Sequence, residues 1–116
     1  MIIANWKCNG SVEMFKSWSA DFSKDLLLND DTYLGLAPPS IYFGDIKSYL
    51  TCIPFIGVQD VDFLNGARTG AISVDMLVDM ACNFAIVGHS ERRQLFNENN
   101  ESVSYTHLRA HETFAN

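Results

Sequence analysis

Ile2-Ile3-Ala4-Asn5-Trp6-Lys7-Cys8-Asn9-Gly10-Ser11 opens the chain. A short apolar run gives way at once to polar residues, then to a glycine and a serine. Beyond them Phe15, Trp18, Phe22 and Leu26 recur at spacings of 3, 4 and 4 residues, which lines one face of a helix. Glu13, Lys16, Asp21 and Lys24 fall mainly off that face. The stretch therefore reads as a strand, a loop and a helix, with Ser11 as the N-cap. Asn29-Asp30-Asp31 marks the helix end.

The same grammar repeats along the chain. Thr32–Ala37, Ile53–Val58 and Phe84–Gly88 are further short apolar runs. All are continuous rather than alternating, as expected of strands covered on both faces. Pro54 lacks an amide donor and belongs near the start of its strand. Pro38-Pro39-Ser40 begins a second helix, with Ile41, Ile46, Tyr49 and Leu50 on its expected buried side. Ser73 caps a third, with Met76, Leu77 and Met80 as the stripe, and a brief fourth helical turn starts at Ser90. The order β-α-β-α-β-α-β-α implies a parallel sheet with helical crossovers. An open doubly wound sheet and part of a (β/α)8 barrel both satisfy it. No linker or second domain is visible.

Composition narrows the function. There are 116 residues, and 8 Lys+Arg against 14 Asp+Glu leave a net charge of −6. Nucleic acid and acidic membranes would be repelled by that balance, so a small anionic substrate requires locally placed positive charge. No apolar run reaches the roughly 18 residues of a membrane span, and no basic segment precedes an apolar one as in a signal peptide. Cys8, Cys52 and Cys82 are three widely spaced cysteines without a CxxC pair. They read as buried thiols in a reducing cytoplasm.

Ligands of parallel α/β folds bind at the carboxyl ends of the strands. That rule selects Asn5–Gly10, Pro38-Pro39-Ser40, Gln59-Asp60 with the loop through Asn65-Gly66-Ala67-Arg68-Thr69-Gly70, and His89-Ser90-Glu91-Arg92-Arg93. Lys7, just beyond a strand, is placed to hold an anion; the alternative is a solvated surface lysine. His89, ahead of a helical turn, faces amide dipoles that disfavour the imidazolium. It can then donate to a polarised carbonyl, or it is a satisfied structural histidine. Glu91, Arg92 and Arg93 form a solvated helix face, or Glu91 orients Lys7. His107 and His111 lie at i,i+4 beside Glu112, but the order is not HExxH and no third ligand is evident. No GxGxxG, GxxxxGK[ST] or GxSxG motif occurs.

Taken together, Asn5–Gly10, Gly57-Val58-Gln59-Asp60-Val61, Asn65–Gly70 and Ile86–Arg93 resemble, in order and spacing, the signatures of the triosephosphate isomerase family. The resemblance spans about residues 1–103, the first four β/α units of a (β/α)8 barrel of typically about 250 residues. It implies interconversion of dihydroxyacetone phosphate and glyceraldehyde 3-phosphate through an enediolate. Asn5 and Lys7 would contact substrate, Lys7 as the fixed cation. His89 would polarise the carbonyl and shuttle protons, Ser90 would lie near the base, and Glu91 would brace Lys7. No metal or organic cofactor is implied. The family is a homodimer, which places Thr69 and Gln59 at the interface.

Departures accompany the matches. The family's base glutamate, closing loop and glycine-rich phosphate loops belong to the second half of the barrel and have no counterpart in these residues. Without a base the substrate's proton has no acceptor, and without a lid the enediolate meets water. The isolated chain is therefore expected to be inactive. Arg68 stands where the family commonly has an aromatic residue, and Ala71 where it commonly has a glutamate, which removes an acidic partner for Arg92. From Ser104 onward the run Tyr105–Thr113 lacks an apolar stripe and resembles translated adapter read-through. A half barrel also exposes strand edges, so a marginal monomer that associates is expected. The chain reads alternatively as a noncatalytic phosphate-binding module or a half-barrel assembly piece.

Overall fold

The computed structural model describes residues 2–25, 34–50 and 55–104, with the backbone alone at 22–25. The chain divides into two compact units, Met1–Gln59 and Asp60–Asn116, and the two are built differently.

The first unit carries β1 (Ile2–Asn5), α1 (Val12–Asp25), β2 (Leu34–Ala37), a 3₁₀ turn over Ser40–Tyr42, α2 (Phe43–Tyr49) and β3 (Phe55–Ile56). Its three strands are parallel in the order β1-β2-β3. Ile2 pairs with Leu34 and Asn5 with Ala37; Gly35 pairs with Phe55 and Leu36 with Ile56. Thr32, Tyr33, Ile53 and Pro54, expected to extend β2 and β3, lie outside the described residues, as do Leu26, Cys52 and the expected helix end at 29–31.

Phe15, Leu36, Ile46, Leu50 and Val58 fill the core of this unit, each nearly inaccessible to water. The N-cap expectation holds: Ser11 Oγ accepts the Met14 amide at 3.1 Å. Coverage on both faces holds for β2, where Gly35, Leu36 and Ala37 are all buried. It fails for β1, where Ile2 is 61% exposed and Ile3 42%. In α2 the expected register needs correction. Ile41 is 83% exposed, and the buried face is Phe43, Ile46 and Leu50. The Tyr42 amide donates to the Pro39 carbonyl at 2.9 Å; this tighter turn rotates Ile41 out of the helical phase.

The second unit contains α3 (Val74–Asp79) and α4 (Ser90–Leu95). The segment from Asp62 to Ser73 closes on itself through the Asp62 amide, 2.8 Å from the Ile72 carbonyl, and a bridge pairing Asp62 with Ser73. Ser73 caps α3 as expected, its Oγ accepting from the Met76 amide. The α3 stripe is Val74 and Leu77; Met76 and Met80 are 56% and 52% exposed. Periodicity alone does not choose between the neighbouring apolar faces of so short a helix. No strand forms over Phe84–Gly88. Phe84 through Val87 are half-buried, and within the run only Ala85 takes part in a β-bridge, so the pairing there is a single bridge rather than an extended strand. Cys82 is buried, but Cys8 is exposed, because it follows Lys7 out along a surface loop.

Ala81 ends α3 in the left-handed region, φ 55. The Ala81 amide reaches the Val78 carbonyl at 3.0 Å and the Cys82 amide the Leu77 carbonyl at 2.8 Å, the paired bonds of a Schellman cap. Glycine is the residue this position favours. Ala81→Gly should therefore raise unfolding stability by about 0.5–1 kcal/mol, the left-handed penalty less glycine's extra chain entropy. Urea denaturation of the two proteins reads the difference.

Candidate functional site

The first group of site residues follows β1. Asn5 ends the strand and its Oδ1 accepts the Lys7 amide at 2.9 Å, a local turn that asparagine is suited to make. Lys7 adopts φ 53, uncommon for a residue with a side chain. Gln59 reaches the same corner: its Nε2 donates to the carbonyls of Lys7 and Ala37, both at 2.9 Å. The Asn9 side-chain amide donates to the Trp6 carbonyl at 3.1 Å.

Aromatic packing backs this loop. The Trp6 ring lies 4.9 Å from Phe15 and 5.2 Å from Trp18, and Phe15 lies 5.1 Å from Tyr42. Gly10 closes the loop at φ 143, and a Cβ there would stand 2.6 Å from the Phe15 ring. The loop is thus held by hydrogen bonds on one side and by rings on the other. Lys7 is exposed.

The second group precedes and opens α4. Gly88 turns the chain at φ 62, where a Cβ would meet Val103 at 2.6 Å. His89 is the N-cap of α4, and its Nδ1 accepts the Glu91 amide at 3.1 Å. An accepting Nδ1 puts the ring proton on Nε2. Glu91 Oε2 lies 4.0 Å from the same Nδ1. Arg93 Nε donates to the Gly88 carbonyl at 2.9 Å and its Nη1 to Asn100 Oδ1 at 2.7 Å. These bonds fasten the turn that presents the imidazole. Ser90 is exposed at the start of α4.

Arg92 has acidic partners despite the alanine at position 71. Its Nη2 lies 3.1 Å from Asp60 Oδ2, its Nε 3.1 Å from Glu98 Oε2, and its guanidinium 4.1 Å from the centre of the Phe96 ring. Burial pushes the Asp60 carboxyl above the ordinary aspartate range; Arg92 pulls it down and Glu98 pushes it up. Glu98 carries no motif in the sequence. It reaches Arg92 because Asn97 turns the chain at φ 58, which no spacing rule for helices foretells. The brace at Gln59 was equally hidden, since its partners are backbone carbonyls.

Arg68, at the family's aromatic position, pairs with Asp62 instead. Asn65 Nδ2 donates to Asp75 Oδ2 at 3.1 Å, and Thr69 is exposed in the turn at 69–70. The structure brings Asn5, Lys7 and Gln59 together in the first unit, and His89, Ser90 and Glu91 together in the second. Among the described residues no cluster of three or more His, Cys, Asp or Glu can hold a metal ion, and no helix is long and apolar enough to cross a membrane. His107, His111 and Glu112 lie outside the described residues.

The family model for triosephosphate isomerase matches residues 1–113, continuing beyond Val103. The chain is similar to the triosephosphate isomerase of Francisella philomiragia, with 36% identity over 104 residues, covering 89% of this chain and 41% of that protein. The Shewanella piezotolerans triosephosphate isomerase is 37% identical over 115 residues, 90% of this chain and 43% of the relative. The Francisella tularensis subsp. mediasiatica protein of the same name is 36% identical over 104 residues. The chain therefore spans about two-fifths of the length of these relatives.

Asp62 supplies a pH-dependent element of the 62–73 loop. Burial pushes its carboxyl up, but the Leu64 amide and the hydrogen bond and charge of Arg68 outweigh this and hold it below 3.8. A carboxyl with a depressed folded pKa binds fewer protons folded than unfolded, so its stabilisation is present above 3.8 and lost as pH falls through the lower folded value. Asp62→Asn should destabilise the chain at pH 6, and the difference from wild type should shrink to nothing in strong acid. Urea midpoints measured across that range test it.

Proposed function

The chain belongs to the triosephosphate isomerase family, and from that premise we propose that its residues form the N-terminal part of a site interconverting dihydroxyacetone phosphate and glyceraldehyde 3-phosphate. On this reading the described elements belong to the first four β/α units of a (β/α)8 barrel. The observation that carries the chemistry is the His89 tautomer. With Nδ1 occupied by the Glu91 amide, Nε2–H is the group free to meet a substrate oxygen. A neutral imidazole donor stabilises the developing enediolate without surrendering its proton permanently, and can move a proton between adjacent oxygens.

Lys7 supplies positive charge for a phosphorylated triose on a chain whose net charge is −6. Asn5 sets the turn that presents it and contacts the substrate. Ser90 lies near the reacting carbons, and Glu91 braces Lys7. The reaction needs no metal or organic cofactor. A second copy of the chain is the expected partner, with Thr69 and Gln59 at the contact, in a reducing cytoplasm.

These 116 residues include no counterpart for the family's base or its phosphate loops, so the polypeptide alone is proposed to be inactive. A coupled assay of the purified chain should give no turnover above solvent. Adding a polypeptide that carries the remaining strands of a relative should restore it. In that assembled enzyme His89→Gln should lower the rate roughly 100-fold or more, as expected for a group that moves protons in the transition state. Native-like turnover by the chain alone, or no effect of His89→Gln in the assembled enzyme, overturns the proposal.

A second reading, a half barrel that associates without catalysis, is favoured by the uncovered β1 edge with exposed Ile2 and Ile3. Sedimentation of the isolated chain should then show association. A monodisperse monomer with a sharp cooperative melt contradicts that reading.

A further inference from the structure

We infer that Gln59 is a positioning residue for Lys7, fixing the backbone from which the ammonium is presented. The inference rests on the reading of Lys7 as the cation that holds the substrate's phosphate. Lys7 occupies φ 53, a conformation an L-residue leaves unless its surroundings hold it. Both polar groups of that residue's backbone are held by side chains. Asn5 Oδ1 takes its N–H at 2.9 Å, and Gln59 Nε2 donates to its carbonyl at 2.9 Å. The Asn5 contact is two residues away in sequence and forms within the loop itself. The Gln59 contact spans 52 residues and ties the loop to the rigid end of the sheet.

The tie is rigid because the same Nε2 also donates to the Ala37 carbonyl at 2.9 Å. Ala37 closes β2, is fully buried and accepts the Trp6 amide as well. The side chain of Gln59 therefore cannot swing without breaking a bond to the sheet. A carboxylate at position 59 would have the same shape but no proton to give, and would face two carbonyl oxygens. Glutamine is the side chain of this length that supplies two N–H groups from one atom. A residue serving the fold alone would need the Ala37 contact; the Lys7 contact adds no strand pairing and acts on the loop.

The test uses the isotope-labelled 116-residue chain, its Gln59→Glu and Gln59→Met variants, and inorganic phosphate as the probe. NMR chemical shifts and amide couplings read the Lys7 backbone, phosphate titration reads its side chain, and hydrogen exchange at the Trp6 amide reads the strand ends. In wild type Lys7 is expected to be left-handed and to shift with phosphate. In both variants it should leave the left-handed region and bind phosphate about fivefold more weakly, the loss of one ordinary hydrogen bond. The Trp6 amide should stay protected. If Lys7 stays left-handed in either folded variant, the inference is overturned. Should neither variant fold, the wild-type Gln59 side-chain amide decides: slow exchange with contacts to Lys7 supports the inference, and solvent-like exchange overturns it. A wild-type Lys7 left-handed but indifferent to phosphate defeats the reading of Lys7 as an anion holder while leaving the Gln59 brace to be judged by the backbone alone.

Discussion

The carbonyl of Ala37 accepts two hydrogen bonds, one from the Trp6 amide at 3.1 Å and one from the Gln59 side chain at 2.9 Å. This buried oxygen is where the first unit is joined. The Trp6 bond carries the β1–β2 ladder one residue past its last pair, and the Gln59 bond brings in the chain that follows β3. A carbonyl has two lone pairs, and a buried one left empty is costly. Filling both here fixes three segments of chain against one another without any of their side chains needing to be large. The Asn5–Lys7 turn can be irregular because the ground on either side of it is not.

The second unit solves its presentation problem by charge and backbone instead. Arg92 is clamped between Asp60 and Glu98 and stacked on Phe96, and Arg93 ties Gly88 to Asn100. Two adjacent arginines thus face different tasks, one gathering carboxylates and the other holding the turn before His89. Guanidinium groups suit both because their fixed forks make several directed bonds at once. The raised carboxyl of Asp60 shows that the clamp does not fully offset the cost of burying its charge.

Much of the first unit was legible because its signals are local or strictly periodic. Ser11 before α1 and the apolar core of β2 each follow from one residue type at one position, and Ser73 before α3 does the same in the second unit. Errors arose where periodicity had to choose a phase. Helical spacing puts Ile41 on the same face as later buried residues, but a tighter first turn breaks that count. A hydropathy pattern does not separate Met76 and Met80 from Val74, because thioethers and branched chains look alike to it. The run at 84–88 is apolar enough for a strand, yet its pairing is limited to a bridge at Ala85, and apolarity does not report how far a ladder extends. In the site, Lys7 and His89 were visible through their place after apolar runs. The Gln59 brace and the Glu98 clamp were not, because backbone acceptors and left-handed turns leave no residue-type signature.

The aromatic corner beside Lys7 has an optical consequence. The chain contains two tryptophans, Trp6 and Trp18, and their rings meet nearly edge to face, 5.2 Å apart at 81°. Every indole transition of the molecule therefore originates in this one corner. Rings held so close and so nearly perpendicular couple their electronic transitions, and the rotational strength of that coupling depends on their mutual angle. Trp6 is the residue before Lys7, its amide is bonded to Ala37, and its ring packs against both Phe15 and Trp18. The indole bands of the near-ultraviolet dichroism and the tryptophan emission thus form a label-free gauge of the ground on which Lys7 stands.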